Sequence, residues 1–187
     1  MLIIRQSTEN IEKEVELFEE KHGIIIPKQY RQFLLKYNGG ETPETTFKIG
    51  KESSNISAFL GLGDAEYNFQ NVMELTSLLK RHFLPIAYDL WGNYIVINLN
   101  KIKNGEINFC DHENAFKAVF LAKDLKTFIK LVTSKKMDKY YTMSVEEREK
   151  IMIANGNADK ITEKLRENWK QIIDKYSNVK QERVIIN

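Results

Sequence analysis

The sequence predicts an α+β fold: an antiparallel meander sheet of about five to six strands with N-terminal helices packed on it, plus a helical C-terminal extension. Three observations carry this. The apolar runs 94–99 and 107–110 are rich in β-branched and aromatic residues, which suit a pleated, half-buried surface. Turn chemistry precedes each run: Asp89-Leu90-Trp91-Gly92-Asn93 before the first and Asn104-Gly105 before the second. Residues 8–37 instead space their apolar side chains as helices do, with Gly23 and Pro27 as punctuation.

Taken in order, 8–22 reads as a helix with Ile11, Val15, Phe18 and His22 on one stripe, Ser7 or Thr8 as cap and Gly23 as stop. Glu9, Glu12 and Glu14 suit the positive end of its dipole. Pro27 stands where the next helix should take its first residue, because a missing N–H costs nothing there. That helix, 28–37, lays Tyr30, Phe33, Leu34 and Tyr37 along one side, and Asn38-Gly39-Gly40 ends it. A polar loop (41–44), a strand (45–49), a polar turn (50–55) and a second strand (56–60) follow. After the loop Gly61-Leu62-Gly63-Asp64, residues 68–81 read as a helix burying Val72, Leu75, Leu78 and Leu79. The meander then occupies 84–88, 94–99, 107–110 and 119–121. Asp124 caps a closing helix, 125–132, whose apolar side is Leu125, Phe128, Ile129 and Val132.

Beyond Thr133 the composition changes, so the expected division is a domain over 1–133 and a helical extension over 134–187. Residues 134–139 are a charged linker, and Ser144-Val145-Glu146-Glu147 is a capping box opening a helix to Ala154. A further helix spans 158–176 with Ile161, Leu165, Trp169, Ile172 and Ile173 on one side, suited to packing on the core or on a second subunit. Val184-Ile185-Ile186 suits a sheet edge or a partner.

Hydrophobic content of 42% and charged content of 29% are those of a globular chain. A single cysteine allows no internal disulfide, Leu2-Ile3-Ile4 is too short for a signal-peptide core, and no apolar run approaches spanning length. The expected location is the cytoplasm, with no membrane contact. Residues 134–187 hold 12 of the 28 basic and 9 of the 26 acidic residues, so neither part carries the dense basic stripe that tracks phosphates. Direct nucleic-acid binding is not expected.

Reaction chemistry is sparse. Asp111-His112-Glu113 beside Cys110 is the one cluster resembling a metal or catalytic site. In a strand Asp111 and Glu113 would share a face and His112 would point away. No H-x-x-x-H or C-x-x-C supplies further ligands. Cys110 falls within a sheet strand, where burial makes a thiol inert. Gly61-Leu62-Gly63-Asp64 lacks the third glycine and the Lys-Ser/Thr pair of a phosphate loop. No cofactor motif is present. Trp91 beside Gly92 is either a lid over the meander or an exposed interface anchor.

Read together, these residues resemble the SUKH superfamily of SMI/KNR type, in the branch related to the yeast cell-wall assembly regulator. The opening pattern is Ile11 and Val15, then Ile26-Pro27-Lys28-Gln29-Tyr30, Phe33-Leu34 and Asn38-Gly39-Gly40. Phe59-Leu60-Gly61 matches the middle pattern, and Pro85-Ile86-Ala87-Tyr88-Asp89-Leu90-Trp91-Gly92-Asn93 the later one, followed by Asp111-His112-Glu113. The resemblance covers roughly 8–133. It implies a non-enzymatic binding protein: many bacterial members are immunity proteins that bind and block a cognate toxin, often a nuclease. The motif residues read as fold determinants. The expected partner surface lies among the loop 41–55, the segment 61–70 with Asp64, Glu66 and Tyr67, Trp91, and the turn 112–117. A regulatory scaffold that uses the C-terminal helices to dimerise or recruit a partner is the alternative, and a metal-dependent hydrolase built on Asp111, His112 and Glu113 the remote one.

Overall fold

The computed structural model describes residues 1–5, 9–75 and 77–187, without the side chains of 73–75. The expected caps Ser7 and Thr8, and the Leu75 side chain, lie outside the described residues. Two units form, one from residues 1–135 with 182–187 and the other from 136–181.

The first unit carries the sheet. Its strands are β1 (Leu2–Arg5), β2 (Gly40–Ile49), β3 (Glu52–Phe59), β4 (Phe83–Tyr88), β5 (Tyr94–Asn98), β6 (Ile107–Asp111), β7 (Lys117–Ala122), β8 (Thr133–Ser134) and β9 (Gln181–Arg183). Among the described residues they make one nine-stranded sheet in the order β7-β6-β5-β4-β3-β2-β1-β9, with β8 beside β2. From β1 to β7 each pair is antiparallel. The sheet has more strands than expected because three of them, β1, β8 and β9, are too short to show alternation.

Against this sheet pack α1 (Ile11–His22), α2 (Lys28–Tyr37), α3 (Phe69–Leu75) and α4 (Leu125–Leu131). Val15 and Phe18 of α1, Tyr30, Phe33, Leu34 and Tyr37 of α2, and Phe128 of α4 join Phe47, Phe59, Ile95, Ile97, Ile107 and Phe109 in one core. On the other sheet face, reached by the alternate residues of β5 and β6, Val96 and Cys110 pack with Leu78.

The element ends follow local chemistry. Gly23, at φ 61, stops α1, its N–H bonded to Glu20 O and the next one to Glu19 O. Pro27 stands one residue before α2 rather than inside it, and Asn38, at φ 46, ends the helix. Asp124 caps α4 by accepting from Thr127 N at 2.7 Å.

Several expectations are corrected. Residues 41–44 belong to β2, whose ladder to β3 shifts register between Glu41 and Thr45, where Pro43 needs no donor. The buried Thr42 hydroxyl donates to Ile56 O at 2.6 Å, so this polar stretch is ladder rather than loop. The turn expected over 50–55 shrinks because Glu52 to Asn55 pair with β2 opposite Ile49 to Thr46. The helix expected over 68–81 breaks into α3 and a 3-10 turn, Leu79–Arg81. Its apolar residues divide between faces, Val72 to the main core and Leu78 to the opposite side of the sheet, which one continuous helix could not serve.

The second unit holds a 3-10 turn (Lys139–Thr142), α5 (Val145–Ala154), a 3-10 turn (Ala158–Lys160) and α6 (Glu163–Tyr176). The Ser144–Glu147 capping box forms as expected. The helix expected over 158–176 restarts at Thr162, whose side chain accepts from Leu165 N. Trp169 packs within this unit: the buried Arg148 guanidinium lies 3.9 Å from the Tyr140 ring centre and 5.9 Å from the Trp169 ring. Arg148 also donates to the carbonyls of Tyr140 and Met143, while Trp169 Nε1 donates to Tyr140 Oη at 3.1 Å.

Candidate functional site

Antiparallel order sends alternate turns to the same end of the sheet. The β2–β3 turn, the β4–β5 turn (89–93) and the β6–β7 turn therefore meet there. Asp89 organises the middle one. It is buried, and its Oδ1 accepts from Trp91 N at 2.8 Å and Asn93 N at 2.9 Å. Oδ2 accepts from the Asn93 side-chain amide at 2.8 Å and from the Ser54 hydroxyl at 2.6 Å. Asn55 Oδ1 takes the Leu90 N–H at 3.0 Å. The tip that remains, Leu90 and Trp91, is exposed, Trp91 at 69%. A bulky aromatic thus stands in water on a backbone held rigid from beneath.

The neighbouring turn is tied to the same network. Asn93 Oδ1 accepts the His112 backbone N–H at 2.9 Å and lies 2.8 Å from His112 Nδ1. Asp111 Oδ1 accepts from Glu113 N at 2.9 Å. β6 ends at Asp111, so strand alternation stops and His112 does not point away as expected. Asp111, His112 and Glu113 all border one open cleft of about 540 Å³, which Trp91 and Asn93 also line. Ser54, within the stretch 41–55 expected at the partner surface, lines it too, and so does Phe109, whose neighbourhood reads as a core strand and not as a site. Among the described residues no three His, Cys, Asp or Glu side chains converge as a metal-ligand set.

Asp64, Glu66 and Tyr67 lie elsewhere. Asp64 lines a second cleft, of about 500 Å³, with Glu9 and Glu14, and this shares no lining residue with the first. The Tyr67 hydroxyl donates to the Glu41 carboxylate; desolvation and then that bond raise its pKa. The structure therefore brings Trp91 together with Asn93, Asp111, His112 and Glu113, but not with Asp64.

The remaining motif residues build the floor of the fold. Asn38 and Leu62 exchange two bonds of 2.9 Å, Asn38 Nδ2 to Leu62 O and Leu62 N to Asn38 Oδ1. Gly39 passes against Phe59 and Gly61, and Gly40 against Ile4. The Tyr30 hydroxyl donates to Leu60 O at 2.8 Å and approaches Ile86 O. In β4 the register shifts between Pro85 and Ala87, which lets Pro85 sit in a central strand.

Burial pushes the Cys110 thiol up to about 12, outweighing the nearby Arg81. Its labelling by a disulfide reagent at pH 8 should follow global unfolding, at least about a thousandfold slower than in denaturant. Labelling at the rate of a free thiol in the folded protein would refute this burial.

The family model described as SMI1 / KNR4 family (SUKH-1) matches residues 11–131. Among curated proteins, the chain is 27% identical over 124 residues to the SPbeta prophage-derived uncharacterized protein YokK of Bacillus subtilis (strain 168), covering 56% of this chain and 63% of that one. It is 26% identical over 97 residues to the uncharacterized protein YobM of the same organism, covering 51% and 50%. The chain thus spans between half and two thirds of these relatives' own length. No solved structure matches it.

Proposed function

Starting from the fact that the chain belongs to the SMI1/KNR4 family (SUKH-1), we propose that it is a non-enzymatic immunity-type protein of the cytoplasm, which binds a cognate toxin, a nuclease, and blocks its active site. The observation that carries the reading is Trp91, exposed on a turn that Asp89 holds from below. Exposed aromatics on pre-ordered backbone make good interface anchors, since little conformational entropy remains to be lost on binding. The cleft beside it, edged by Asn93, His112 and Glu113, supplies polar groups for a rim. An interface centred there and burying about 1,200–2,000 Å² would be enough to exclude a substrate. No helix among the described residues is long and apolar enough to cross a membrane, in keeping with this placement.

The test is co-expression with the toxin encoded beside the gene. The wild-type chain should restore growth and bind the toxin directly. Trp91→Ala should leave the thermal midpoint unchanged and weaken binding by about 30-fold, the equivalent of roughly 2 kcal/mol. Unaltered affinity in the variant would remove Trp91 from the interface, and no binding by the wild type would remove the reading itself.

A regulatory scaffold acting through the helical unit is the second reading, favoured by Ile151 and Ile153, both exposed on α5. Replacing 137–180 by a short linker separates the two: growth rescue survives under the first and partner recruitment is lost under the second.

A further inference from the structure

The two edges of the sheet are built differently. β9 is three residues long and charged, with Glu182 3.7 Å from Arg5. β7 is six residues long, and no described strand pairs with its outer side. Unpaired edges expose a row of N–H and C=O groups, and proteins ordinarily blunt them with charge, proline or brevity. From Ala118 to Ala122 β7 has neither charge nor proline; its ladder to β6 shifts register at Leu121, so the regular edge runs from Lys117 to Phe120. Phe120 stands 56% exposed there, opposite Asn108 and on the sheet face away from the main core.

Charge is confined to the two ends, where Lys117 and Lys123 are both exposed, Lys117 having Asp111 opposite it on the inner side. These lysines discriminate among occupants. A second copy pairing antiparallel about Phe120 would set Lys117 of each chain opposite Lys123 of the other, and like charges directly opposite are destabilising. A strand with acidic residues at its ends and apolar ones between meets both lysines and covers Phe120.

We propose that the outer edge of β7 is a docking site for an extended segment of a protein partner, acidic at both ends and apolar at its centre, which joins the sheet as a further antiparallel strand. This surface shares no lining residue with the Trp91 cleft, although its Lys117 pairs with Asp111 there, and it does not depend on the immunity reading.

The probe is a capped seven-residue peptide with aspartate at both ends and alternating valine and threonine between, compared with the same peptide ended by lysine. Each is titrated into the full-length, isotope-labelled chain at low salt. The aspartate peptide should shift and protect the amides of 117–122 and bind about tenfold tighter than the lysine peptide, a preference that added salt erodes. In the double variant Lys117→Glu, Lys123→Glu the preference should reverse, and Phe120→Thr should weaken both peptides. Absence of binding, equal affinity for the two peptides, or shifts confined to other strands would overturn the proposal. So would concentration-dependent self-association that protects the same amides, because it would give the edge to a second copy.

Discussion

Gly40→Ala is expected to destabilise the sheet-bearing unit by about 3 kcal/mol or more, with a matching fall in the urea midpoint. Gly40 has φ 129, which side chains rarely adopt, and a Cβ there would overlap the carbonyl oxygen of Ile4 and lie 3.3 Å from Ile3 Cγ1. The obstacle is backbone and not the end of a flexible side chain. It is also paired backbone, since β1 and β2 meet at Ile4↔Glu41 and Arg5↔Gly40. Relief requires β1 to move off β2, which disturbs the buried Ile3. Strained φ alone costs about 1–3 kcal/mol and overpacking a further 1–3. Against a total stability of about 5–15 kcal/mol, that is a large share. Gly50→Ala is the control: φ is 62, but nothing stands within 4 Å of the new Cβ. It should cost only about 1 kcal/mol. Equal losses in the two variants would show that the approach of β1 does not determine the requirement at Gly40.

The same position shows what local sequence can and cannot carry. Asn38-Gly39-Gly40 reads directly as a helix stop with positive φ, and α2 does end there. That Gly39 must also admit the Phe59–Gly61 segment, and Gly40 the β1 strand, is a long-range matter that turn chemistry does not encode. The meander was legible for a related reason: its turns at Asn104-Gly105 and Asp89–Asn93 are local devices, and its strands are apolar runs of five or six residues. β1, β8 and β9 were not, being two to four residues long and stabilised by what lies beside them. At the candidate site, Asp89 and Trp91 could be singled out from the turn itself. Ser54 falls in the stretch 41–55 expected at the partner surface, but its bond to Asp89 is not readable, because it crosses 35 residues of chain. Arg148 was missed on general grounds: charged side chains are almost never fully buried. Here two carbonyls and the faces of Tyr140 and Trp169 hold the guanidinium.

Removing residues 182–187 should damage the fold far more than removing the helical unit that precedes them. The chain returns after α6 to lay β9 beside β1. Val184 N then donates to Met1 O at 3.1 Å. Val184 and Ile186 enter the main core while Ile185 between them stays exposed, the alternation of an extended edge segment. Tyr37 fastens the segment: its hydroxyl donates to Arg183 O at 3.3 Å and accepts from Ile185 N at 2.9 Å. Burying two such apolar side chains contributes roughly 3–6 kcal/mol. The two hydrogen bonds of the Tyr37 hydroxyl are lost with it, each worth about 0.5–1.5 kcal/mol. The truncated chain should therefore lose most of its stability and unfold or aggregate near room temperature. Replacing 137–180 by a short linker should instead preserve cooperative unfolding. Both ends of that gap are anchored on β1, Ser134 Oγ accepting from Leu2 N and Glu182 pairing with Arg5, so the linker has only about 10 Å of strand to span. Urea melts of the two chains decide the matter. If the truncated chain melts like the full-length one, β9 is an ornament on the edge, and Tyr37 is buried for the sake of α2 alone.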